Sequence, residues 1–521
     1  MQVWKDGFQT RGNLSRREII RNSLLGGAAA FGTTTSAFNP AWAQAPRKGG
    51  VLRFCRPDGP DTLDPQVSNS FSGAEYGMMI YDALTKLDQD GQPLPELATS
   101  WQAEKGGQEW IVNLREGVKF HSGDEFSAAD VIATVERSMD RARAGSGYNA
   151  FGPVREIRGE GKYRVRFILN MPFGEFPVNL AYRLCRILPE KNIDGIRETP
   201  NGTGAFTFTD FQPGSSITVT KNPNYWNAAN IHLDGVRMVF IREAISMQAA
   251  LRSGQVDVLS QVPVETYLIM NKLPGFKAYS ETTGDYHSVQ IQGNMPPFNN
   301  LKVRHAFRYI LDRKATVASV LFGQGSVGND VTMPPGNLYL PELPQHEQNL
   351  PLAKRLLEES GVGPISLDFY TSSDRLPAPK MVLAFAEAAS KIGVNLRIRD
   401  IPYTEYAANV ARKMPLYTGY WSGAATLYDG IYRLYHTKGA NNYAGIESSP
   451  GLDTKIENMI AAVDLQERKK YAAEVAKAMY EDSDRIIPYF RNYIGVTSNK
   501  VQGFVPPKYG VVDMRGISLS A

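Results

Sequence analysis

Cysteine and histidine are scarce in this chain of 521 residues, which has two cysteines and six histidines. So few thiols exclude a zinc site built from cysteines and a disulfide-dense scaffold. No two histidines stand three or four residues apart, so the helical spacing of a histidine metal pair is missing. We therefore expect no metal and no other cofactor. The sequence leaves open whether Cys55 and Cys185 form one disulfide or remain buried free thiols.

The short motifs of common enzyme classes are also missing. The chain has no Gly-x-Ser-x-Gly elbow, no phosphate-binding P-loop and no His-Glu-x-x-His. Gly202-x-Gly204 lacks the third glycine of a dinucleotide-binding loop, and a tight turn is enough to explain it. Carboxylates are plentiful, but no spacing singles out an acid–base pair. These absences predict a protein that is not an enzyme.

The net charge is too small to indicate a nucleic-acid partner. Its formal value is +4, and residues 1–43 contribute +3 of it through five basic and two acidic side chains. Apolar residues make up 42% and charged residues 21%, as in ordinary globular proteins. The length exceeds that of one usual hydrophobic core, so two or three domains are expected.

The first 43 residues have the pattern of an export signal. Arg16-Arg17 precedes a mildly apolar stretch over 24–37, and Ala41-Trp42-Ala43 offers small residues for cleavage after Ala43. The paired arginines indicate the Tat type. Thr33-Thr34-Thr35 interrupts the run of about 18 apolar residues that a membrane anchor requires, and no cysteine stands at the cleavage site to take a lipid. We expect a soluble periplasmic protein.

Periodic patterns in the rest of the chain predict an α/β protein. Apolar and polar residues alternate from Phe206 to Val219 around Pro213-Gly214, which predicts an antiparallel hairpin. A compact α/β insertion is expected over 76–184. Further along, strand and helix patterns alternate, which favours a mostly parallel second sheet. One long amphipathic helix is expected from about 452 to 482, and the last thirty or so residues should pair back onto the first part of the fold.

Several short motifs stand in a fixed order along the chain. They are Gly49-Gly50-Val51-Leu52, Leu63-Asp64-Pro65, Gly117-Val118-Lys119-Phe120-His121, Gly202-Thr203-Gly204-Ala205-Phe206, Asn224-Tyr225-Trp226, Ser253-Gly254-Gln255-Val256-Asp257 and Asp312-Arg313. With these motifs the chain resembles the family 5 solute-binding proteins of ABC importers, the dipeptide- and oligopeptide-binding group. The resemblance extends over almost the whole chain after the signal.

The resemblance implies a two-lobed clamshell, the type II (cluster C) periplasmic-binding-protein fold, with an extra α/β subdomain in its first lobe. The chain would divide into four parts and would cross between the lobes twice. These parts are the Tat-type signal peptide 1–43, lobe I over 47–284 with the subdomain 76–184 inserted, lobe II over 285–490, and a return to lobe I over 491–521.

The resemblance also implies a function. A monomeric periplasmic protein would capture a peptide or peptide-like solute between its lobes and deliver it to the permease and ATPase subunits of an importer in the inner membrane. Opines, sugar–amino acid conjugates and oligosaccharides are alternative solutes. Nickel complexes and haem have least support because the histidines are dispersed. A periplasmic enzyme or a sensor subunit on the same fold is the alternative from another class.

Four loops and one basic pair are expected to contact the solute in the cleft between the lobes. Glycines there would let backbone donors approach, and Trp421 would form either a flat apolar wall or part of the core. The predicted ligand-binding residues are Asp58, Asp61, Thr62, Leu63, Thr203, Gly204, Ala205, Asn294, Arg375, Lys380, Trp421, Ser422, Gly423, Ala424 and Asp429.

Position 424 departs from the pattern of the dipeptide-binding members that the chain resembles. Those members carry an aspartate there that pairs with the α-ammonium of the solute, and this chain has Ala424. A buried ammonium without a partner is costly, so we expect free dipeptides to bind poorly unless Asp429, Asp58 or Asp61 takes over. Lys380 falls where the group has a basic residue for the solute carboxylate, with Arg375 near it in sequence.

Overall fold

The structure, a computed structural model, describes residues 47–375, 378–442, 450–482 and 484–520. The predicted signal peptide 1–43 therefore lies outside the described residues. Strands and helices are interspersed along the described chain, as the sequence patterns predict. None of the helices in these ranges is long and apolar enough to cross a membrane.

The strands are numbered in chain order. They are β1 (Val51–Arg56), β2 (Thr85–Leu87), β3 (Pro93–Pro95), β4 (Ala98–Glu104), β5 (Glu109–Leu114), β6 (Val154–Gly159), β7 (Arg164–Leu169), β8 (Phe206–Gln212), β9 (Ser216–Lys221), β10 (Gly235–Phe240), β11 (Val258–Ser260), β12 (Phe276–Ile291), β13 (Gly325–Val327), β14 (Ser366–Thr371), β15 (Asn395–Asp400), β16 (Leu416–Trp421), β17 (Arg485–Ser498), β18 (Val501–Gln502) and β19 (Ser518–Leu519).

The α-helices are numbered in the same way. They are α1 (Phe71–Ile80), α2 (Ala128–Met139), α3 (Arg141–Ala144), α4 (Phe176–Asn179), α5 (Ala244–Arg252), α6 (Val264–Met270), α7 (Leu301–Arg308), α8 (Arg313–Val320), α9 (Leu350–Ser360), α10 (Ala378–Ser390), α11 (Tyr403–Asn409), α12 (Arg433–Tyr435), α13 (Leu452–Ala461) and α14 (Leu465–Glu481). Short helical turns add Lys105–Gly107, Gly145–Gly147, Ala228–Asn230, Ser373–Arg375 and the π-helical Tyr428–Tyr432.

One large mixed sheet organises the fold. Its strand order is β15-β14-β16-β12-β17-β11-β1-β10-β9-β8, and β13 adds to β17. In the first half, β1 pairs in parallel with β10 and β11. In the second half, β14 pairs in parallel with β15 and β16, whereas β12 and β16 are antiparallel. The expected mostly parallel second sheet is thus mixed, because the chain enters it on β12, a strand that continues from the first half.

The long strands β12 and β17 belong to both halves of this sheet. They pair with each other in antiparallel fashion up to Thr282 and again from Tyr286 onward. Strand β17 also pairs with β11 in the first half of the sheet, and β12 also pairs with β16 in the second half. The register of the pair breaks between these two residues. We call residues 282–286 and the facing residues 490–492 the crossover, lobe I the part of the sheet that contains β1, and lobe II the part that contains β14.

The expected lobe boundaries, 284/285 and 490/491, fall within the crossover, and the division of the chain into two lobes stays a prediction.

A separate four-stranded sheet, β4-β5-β7-β6, forms the core of the inserted subdomain. Helix α2 packs on it and begins with a capping box formed by Ser127 and Asp130. Helix α1 instead packs in the lobe I core through Tyr76, Met79 and Ile80, so this separate sheet begins after residue 80.

The end of the chain packs against lobe I, as the sequence predicts. Strands β18 and β19 pair with each other. Val501, Phe504 and Val512 share one apolar core with Leu52 and Phe54 of β1. The chain therefore crosses between the two halves of the sheet twice, once on β12 and once on β17.

The single long helix expected from about 452 to 482 is wrong, because the structure has two helices, α13 and α14. The chain turns at Ala462-Val463-Asp464, and Asp464 caps α14 by accepting hydrogen bonds from the Gln466 and Glu467 N–H groups. The apolar periodicity is strong in both helices, so the sequence pattern did not reveal the break between them.

The two cysteines are buried free thiols, and burial raises the pKa of Cys55 to about 12.

Gly204→Ala should destabilise lobe I. The Gly204 N–H donates to Ile80 O at 2.9 Å, and a Cβ at this position would lie 2.5 Å from both the Ile80 carbonyl carbon and Met79 O. Because backbone atoms cannot move aside cheaply, we expect the free energy of unfolding to fall by about 1–3 kcal/mol. Urea denaturation measures it, with Gly159→Ala, whose Cβ would meet nothing closer than Ile132 Cδ1 at 3.4 Å, as the control. Equal stability of both variants would contradict this packing.

Candidate functional site

The carboxyl ends of the parallel strands meet at the crossover. Strands β1, β10 and β11 run toward it from lobe I, and β14, β15 and β16 run toward it from lobe II. Trp421 at the end of β16 pairs with Tyr286 of the crossover. Ligands of α/β sheets bind beyond the carboxyl ends of parallel strands. The cleft between these two edges is therefore the candidate site.

A buried charge cluster lies at the end of β1 on the lobe I edge. Arg56 Nη1 donates to Glu75 Oε1 at 3.0 Å, and both side chains are almost fully buried. The same guanidinium lies 3.4 Å from Asp58 Oδ1 and donates to Gln261 Oε1 at 3.0 Å. Burial raises the pKa of Glu75 to about 7, although attraction to Arg56 opposes the rise. The Asp58 side chain is 47% exposed, which makes it the accessible member of the cluster.

Asp61 and Thr62 organise the loop that follows β1. Asp61 accepts hydrogen bonds from Ser68 Oγ at 2.5 Å, from the Asn69 N–H at 2.8 Å and from Ser70 Oγ at 3.1 Å. Burial acts to raise the pKa of Asp61, but these hydrogen bonds outweigh it and the pKa is lowered. Thr62 Oγ1 accepts from the Asp64 N–H at 3.2 Å, and Leu63 packs half-buried on the lobe I core. These residues hold a defined loop at the cleft edge.

Thr203, Gly204 and Ala205 lie inside lobe I. Thr203 Oγ1 donates to Asp82 Oδ2 at 3.0 Å, and Asn222 Nδ2 donates to Gly204 O at 3.0 Å. Ala205 is fully buried. In this structure all three residues serve the packing of lobe I, and the glycine permits close contact with the end of α1 rather than with a solute.

Residues 421–424 lie directly against the crossover. The Gly423 N–H donates to Asp285 Oδ1 at 2.8 Å. Gly423 and Gly284 pack backbone to backbone, so a Cβ on Gly284 would lie 2.7 Å from the Gly423 Cα. Trp421 is half-buried on a small apolar cluster of the crossover, and Ser422 and Ala424 are half-buried beside it. Trp421 thus packs partly in the core, and its role as a wall of the solute site stays a prediction.

Asp285 is the site residue that the sequence reasoning missed. Its Oδ2 lies 3.5 Å from the Tyr420 hydroxyl, a long contact that leaves this oxygen able to accept a further hydrogen bond. Burial raises the pKa of Asp285, and the Gly423 N–H and Arg491 oppose the rise. No local pattern singles out Asp285, because its contact with Gly423 joins residues 138 positions apart.

Asp429 is already paired within its own helical turn. Its Oδ1 lies 2.5 Å from Arg433 Nη1. The Arg433 guanidinium also lies 5.9 Å from the centre of the Trp421 ring. A solute cation would have to compete with Arg433 for this carboxylate, so Asp429 is poorly placed to replace the aspartate missing at Ala424.

Several buried polar atoms at or near the lobe II edge have no hydrogen-bond partner among the described residues. They are Trp421 Nε1, Thr371 Oγ1, Ser372 Oγ, Ser326 Oγ and Asn492 Oδ1. They lie at the ends of β14 and β16, on β13 and in the crossover. Buried polar groups are normally paired. Each of these five atoms can therefore accept or donate a hydrogen bond to a polar ligand that reaches it.

Lys380 and Arg375 follow the end of β14, on the lobe II edge. Arg375 ends the short turn Ser373–Arg375, and Lys380 is exposed in the first turn of α10. Lys380 Nζ lies 5.5 Å from the centre of the Phe322 ring. A cation in the first turn of a helix is not stabilised by the helix dipole. Lys380 thus gains nothing from α10 and remains accessible to an anionic group.

Asn294 lies at the opposite end of the same strands. β12 pairs with β16 from Tyr286 and Trp421 at the crossover to Ile291 and Leu416, which spans about 17 Å at the usual rise per residue. Asn294 comes three residues after Ile291. Strand β12 thus carries the chain away from the crossover before Asn294, and the expectation that Asn294 faces the cleft stays a prediction.

Comparisons with known proteins agree with this geometry. The model of the family described as bacterial extracellular solute-binding proteins, family 5 Middle, matches residues 92–443. The glutathione-binding protein GsiB of Pectobacterium atrosepticum is 22% identical over 459 residues, which cover 85% of this chain and 89% of that protein. HbpA2 from Haemophilus parasuis has the same fold, with a TM-score of 0.81 at 21% identity over 91% of this chain and 100% of the other.

A second solved structure is the ABC transporter-associated periplasmic binding protein DppA from Helicobacter pylori in complex with the peptide STSA. Its TM-score is 0.75 at 24% identity, over 91% of this chain and 98% of the other. Two lobes that share crossing strands, with their ligand-binding edges facing each other, define a two-lobed binding protein, and the expected fold class is confirmed. The family match covers more than half of the chain. The chain therefore belongs to family 5 of the bacterial extracellular solute-binding proteins.

Glu75→Gln should change how stability depends on pH. The pKa of Glu75 is raised from 4.5 to about 7 in the folded protein. The protonated Glu75 carboxyl therefore stabilises the folded state fully below pH 4.5, the pKa in the unfolded chain, and this stabilisation is lost as the pH rises through 7. Glutamine does not titrate. The free energy of unfolding of the wild type minus that of the variant should therefore fall by up to about 3 kcal/mol between about pH 4.5 and pH 8. Urea denaturation across this range tests it, and a pH-independent difference would contradict it.

Proposed function

We propose that the protein is the periplasmic solute-binding component of an ABC importer, and that it captures a peptide or peptide-like solute in the cleft at the crossover. One observation carries the proposal. The carboxyl ends of the parallel strands of both lobes meet at the crossover, where Trp421 at the end of β16 pairs with Tyr286. The protein then presents the solute to a membrane permease that works with an ATPase.

The mechanism is differential binding to open and closed forms. A solute that contacts both edges binds fully only when the lobes approach each other. It therefore shifts the equilibrium toward the closed form by its extra affinity for that form. The break in register between β12 and β17 supports a hinge at the crossover, because interrupted strand pairing is the place where the two lobes can rotate with least loss of hydrogen bonds.

The chemistry of the two edges suits a zwitterionic solute. Asp58 and Asp285 offer carboxylates to an ammonium group, and Lys380 offers a cation to a carboxylate. Trp421 Nε1 and Asn492 Oδ1 can pair with amide groups of the solute. One relative is named a glutathione-binding protein, and the structure of DppA contains the peptide STSA. Both solutes belong to this class, which supports the assignment.

Among the carboxylates, Asp285 is the best placed to replace the aspartate missing at Ala424. Asp61 already accepts three hydrogen bonds from neighbouring residues. Asp429 is paired with Arg433. Asp58 lies beside Arg56, which also pairs with Glu75. Asp285 contacts the 421–424 segment itself. One of its oxygens is committed to the Gly423 N–H, so its pairing with an ammonium is weaker than that of a dedicated aspartate. The expectation that simple dipeptides bind poorly follows from this arrangement.

Four further features of the proposal rest on the sequence. They are export by the Tat route through residues 1–43, a periplasmic location without a lipid anchor, a monomeric state, and handover of the solute without catalysis. Opines, sugar–amino acid conjugates and oligosaccharides present polar groups to a cleft of the same kind, and they belong in any ligand screen.

Peptides should stabilise the purified protein. We expect the melting temperature to rise with the concentration of Ser-Thr-Ser-Ala or reduced glutathione, because a ligand that binds the folded state shifts unfolding. Ala-Ala should produce a much smaller shift. Mass spectrometry after incubation should recover every compound unchanged. No shift with any peptide, or consumption of a peptide, would contradict the proposal.

Asp285→Asn should weaken binding of peptides that have a free amino terminus. Asparagine keeps an acceptor for the Gly423 N–H and removes the charge. Loss of a partly buried charge partner should lower affinity for free Ser-Thr-Ser-Ala at least about tenfold. Affinity for its N-acetylated form should change little, and isothermal titration measures both. Asp429→Asn is the matched control, and a larger selective loss in that variant would assign the ammonium to Asp429 instead.

A further inference from the structure

A partly exposed arginine lies beside the segment 421–424. Arg433 begins α12 directly after the π-helical turn Tyr428–Tyr432. Its side chain is 38% exposed, and its guanidinium lies 5.9 Å from the centre of the Trp421 ring. A cation at this distance from an aromatic ring is weakly attracted to it. The guanidinium is therefore held at the candidate site and is still open to solvent.

The π-helical turn fixes Arg433 at this place. A Cβ on Gly430 would lie 3.2 Å from the Ala424 Cβ, so the turn packs directly against the end of the segment 421–424. The Gly430 N–H donates to Thr426 O at 3.0 Å, and Gly430 O accepts from Thr332 Oγ1 at 3.0 Å. Turns of this kind are rare and occur frequently at functional sites. The backbone that carries Arg433 is thus defined by contacts on both sides.

Asp429 uses only one nitrogen of this guanidinium. Its Oδ1 accepts a hydrogen bond from Arg433 Nη1 at 2.5 Å. Within the part of the chain that the structure describes, Arg433 Nε and Nη2 have no hydrogen-bond partner. A guanidinium carries five N–H donors and binds a carboxylate through two parallel hydrogen bonds. Asp429 therefore orients Arg433 and leaves donors for a second carboxylate.

Tyr182 of the inserted subdomain lies near the same ion pair. Its ring is half-buried, and its hydroxyl makes no hydrogen bond with the described residues. Burial raises the pKa of Tyr182, and the charges of Arg183, Asp429 and Arg433 also act on it. Because charges act over short distances in salt solution, the hydroxyl lies within reach of the Asp429–Arg433 pair. The protonated hydroxyl adds another donor there.

Arg183 brings a second positive charge to this place. Its guanidinium carbon lies 5.7 Å from the centre of the Tyr182 ring. Its Nη1 donates to Ser68 O at 3.2 Å, and Ser68 is itself hydrogen-bonded to Asp61 in the loop after β1. Two guanidinium groups and one carboxylate therefore surround Tyr182. The remaining positive charge, together with donors that lack acceptors, favours an anionic group of the solute.

Lys380 differs from Arg433 in two respects. Its ammonium is a single charge on a flexible chain, whereas a guanidinium is a planar fork that matches the shape of a carboxylate. Its closest described contact is the Phe322 ring, and no hydrogen bond with the described residues orients it. Arg433, in contrast, is oriented by Asp429 and lies against Trp421. Arg433 is therefore the better placed of the two cations for specific recognition.

We propose that Arg433 and Tyr182 form a subsite beside Trp421 that binds a carboxylate of the solute and selects carboxylate-bearing solutes over their neutral derivatives. The inference rests on the proposed function and deepens it, because it names a group that the solute must carry. Asp429 is a positioning residue in this arrangement. It orients the guanidinium and does not itself contact the solute.

Isothermal titration with pairs of peptides that differ only in charge tests the subsite. The first pair is Ser-Thr-Ser-Ala and the same peptide with a C-terminal amide, and the second is reduced glutathione and its diethyl ester. The wild type should bind the free acid at least about tenfold more tightly in at least one pair, because the neutral form loses charge-assisted hydrogen bonds.

Variants assign this preference to individual residues. Arg433→Gln should abolish the preference, and Arg433→Lys should retain part of it because the charge remains without the planar fork. Tyr182→Phe should reduce it severalfold. The matched control is Arg355→Gln, because Arg355 forms an exposed ion pair with Glu359 at the same spacing of four residues in α9. It should keep the preference of the wild type.

Melting temperatures without ligand separate lost recognition from a lost fold. Arg433 and Arg355 are partly or largely exposed, so each variant should melt within about 2 °C of the wild type.

An unchanged preference for the free acid in Arg433→Gln would overturn the subsite, and so would equal affinity of the wild type for both members of both pairs. Loss of the preference in Lys380→Gln but not in Arg433→Gln would overturn it as well and would assign the carboxylate to Lys380. Failure of the proposed function looks different. No peptide would then bind the wild type at all, and the subsite would fall with the function.

Discussion

The antiparallel pair of β12 and β17 is the constraint on which the rest of the structure depends. On one side of the crossover β17 pairs with β11 of lobe I, and on the other side β12 pairs with β16 of lobe II. This one pair brings the carboxyl ends of two sets of parallel strands to a common place. It also concentrates the loss of pairing into a few residues around Thr283, so that the hinge and the base of the cleft coincide.

Burial of charge is the second recurring feature, and it is arranged differently at the two edges. On lobe I, Arg56 is compensated by Glu75 and Asp58, so the cluster is nearly self-contained. At the crossover, Asp285 is held by one short hydrogen bond and a long one. A charge that the protein only partly satisfies is the one a ligand can satisfy further. Asp285 at the crossover is therefore less fully compensated than Glu75 and Asp58 on the lobe I edge.

The sequence predicted the fold well where local patterns determine it. The hairpin around Gly214 follows from periodicity and turn chemistry. The sequence reasoning failed where two segments meet across the sheet. Asp285 contacts Gly423 through strand register, and Gly204 is a glycine because α1 ends beside it. Neither fact has a local signature.

The same reason limits what the sequence says about Asn294. Its turn has the composition of a ligand-binding loop, but composition does not tell which end of a strand the loop occupies. The direction of β12 decides it, and that direction follows from the pairing with β16. The pairing of Asp429 with Arg433 differs, because a spacing of four residues brings two side chains together on any helical turn.

Closure of such a protein must be nearly balanced for transport to work. Moving a two-state equilibrium from 1:99 to 99:1 needs about a 10⁴-fold difference in affinity between the states. A solute can supply that only if the protein alone lies close to balance.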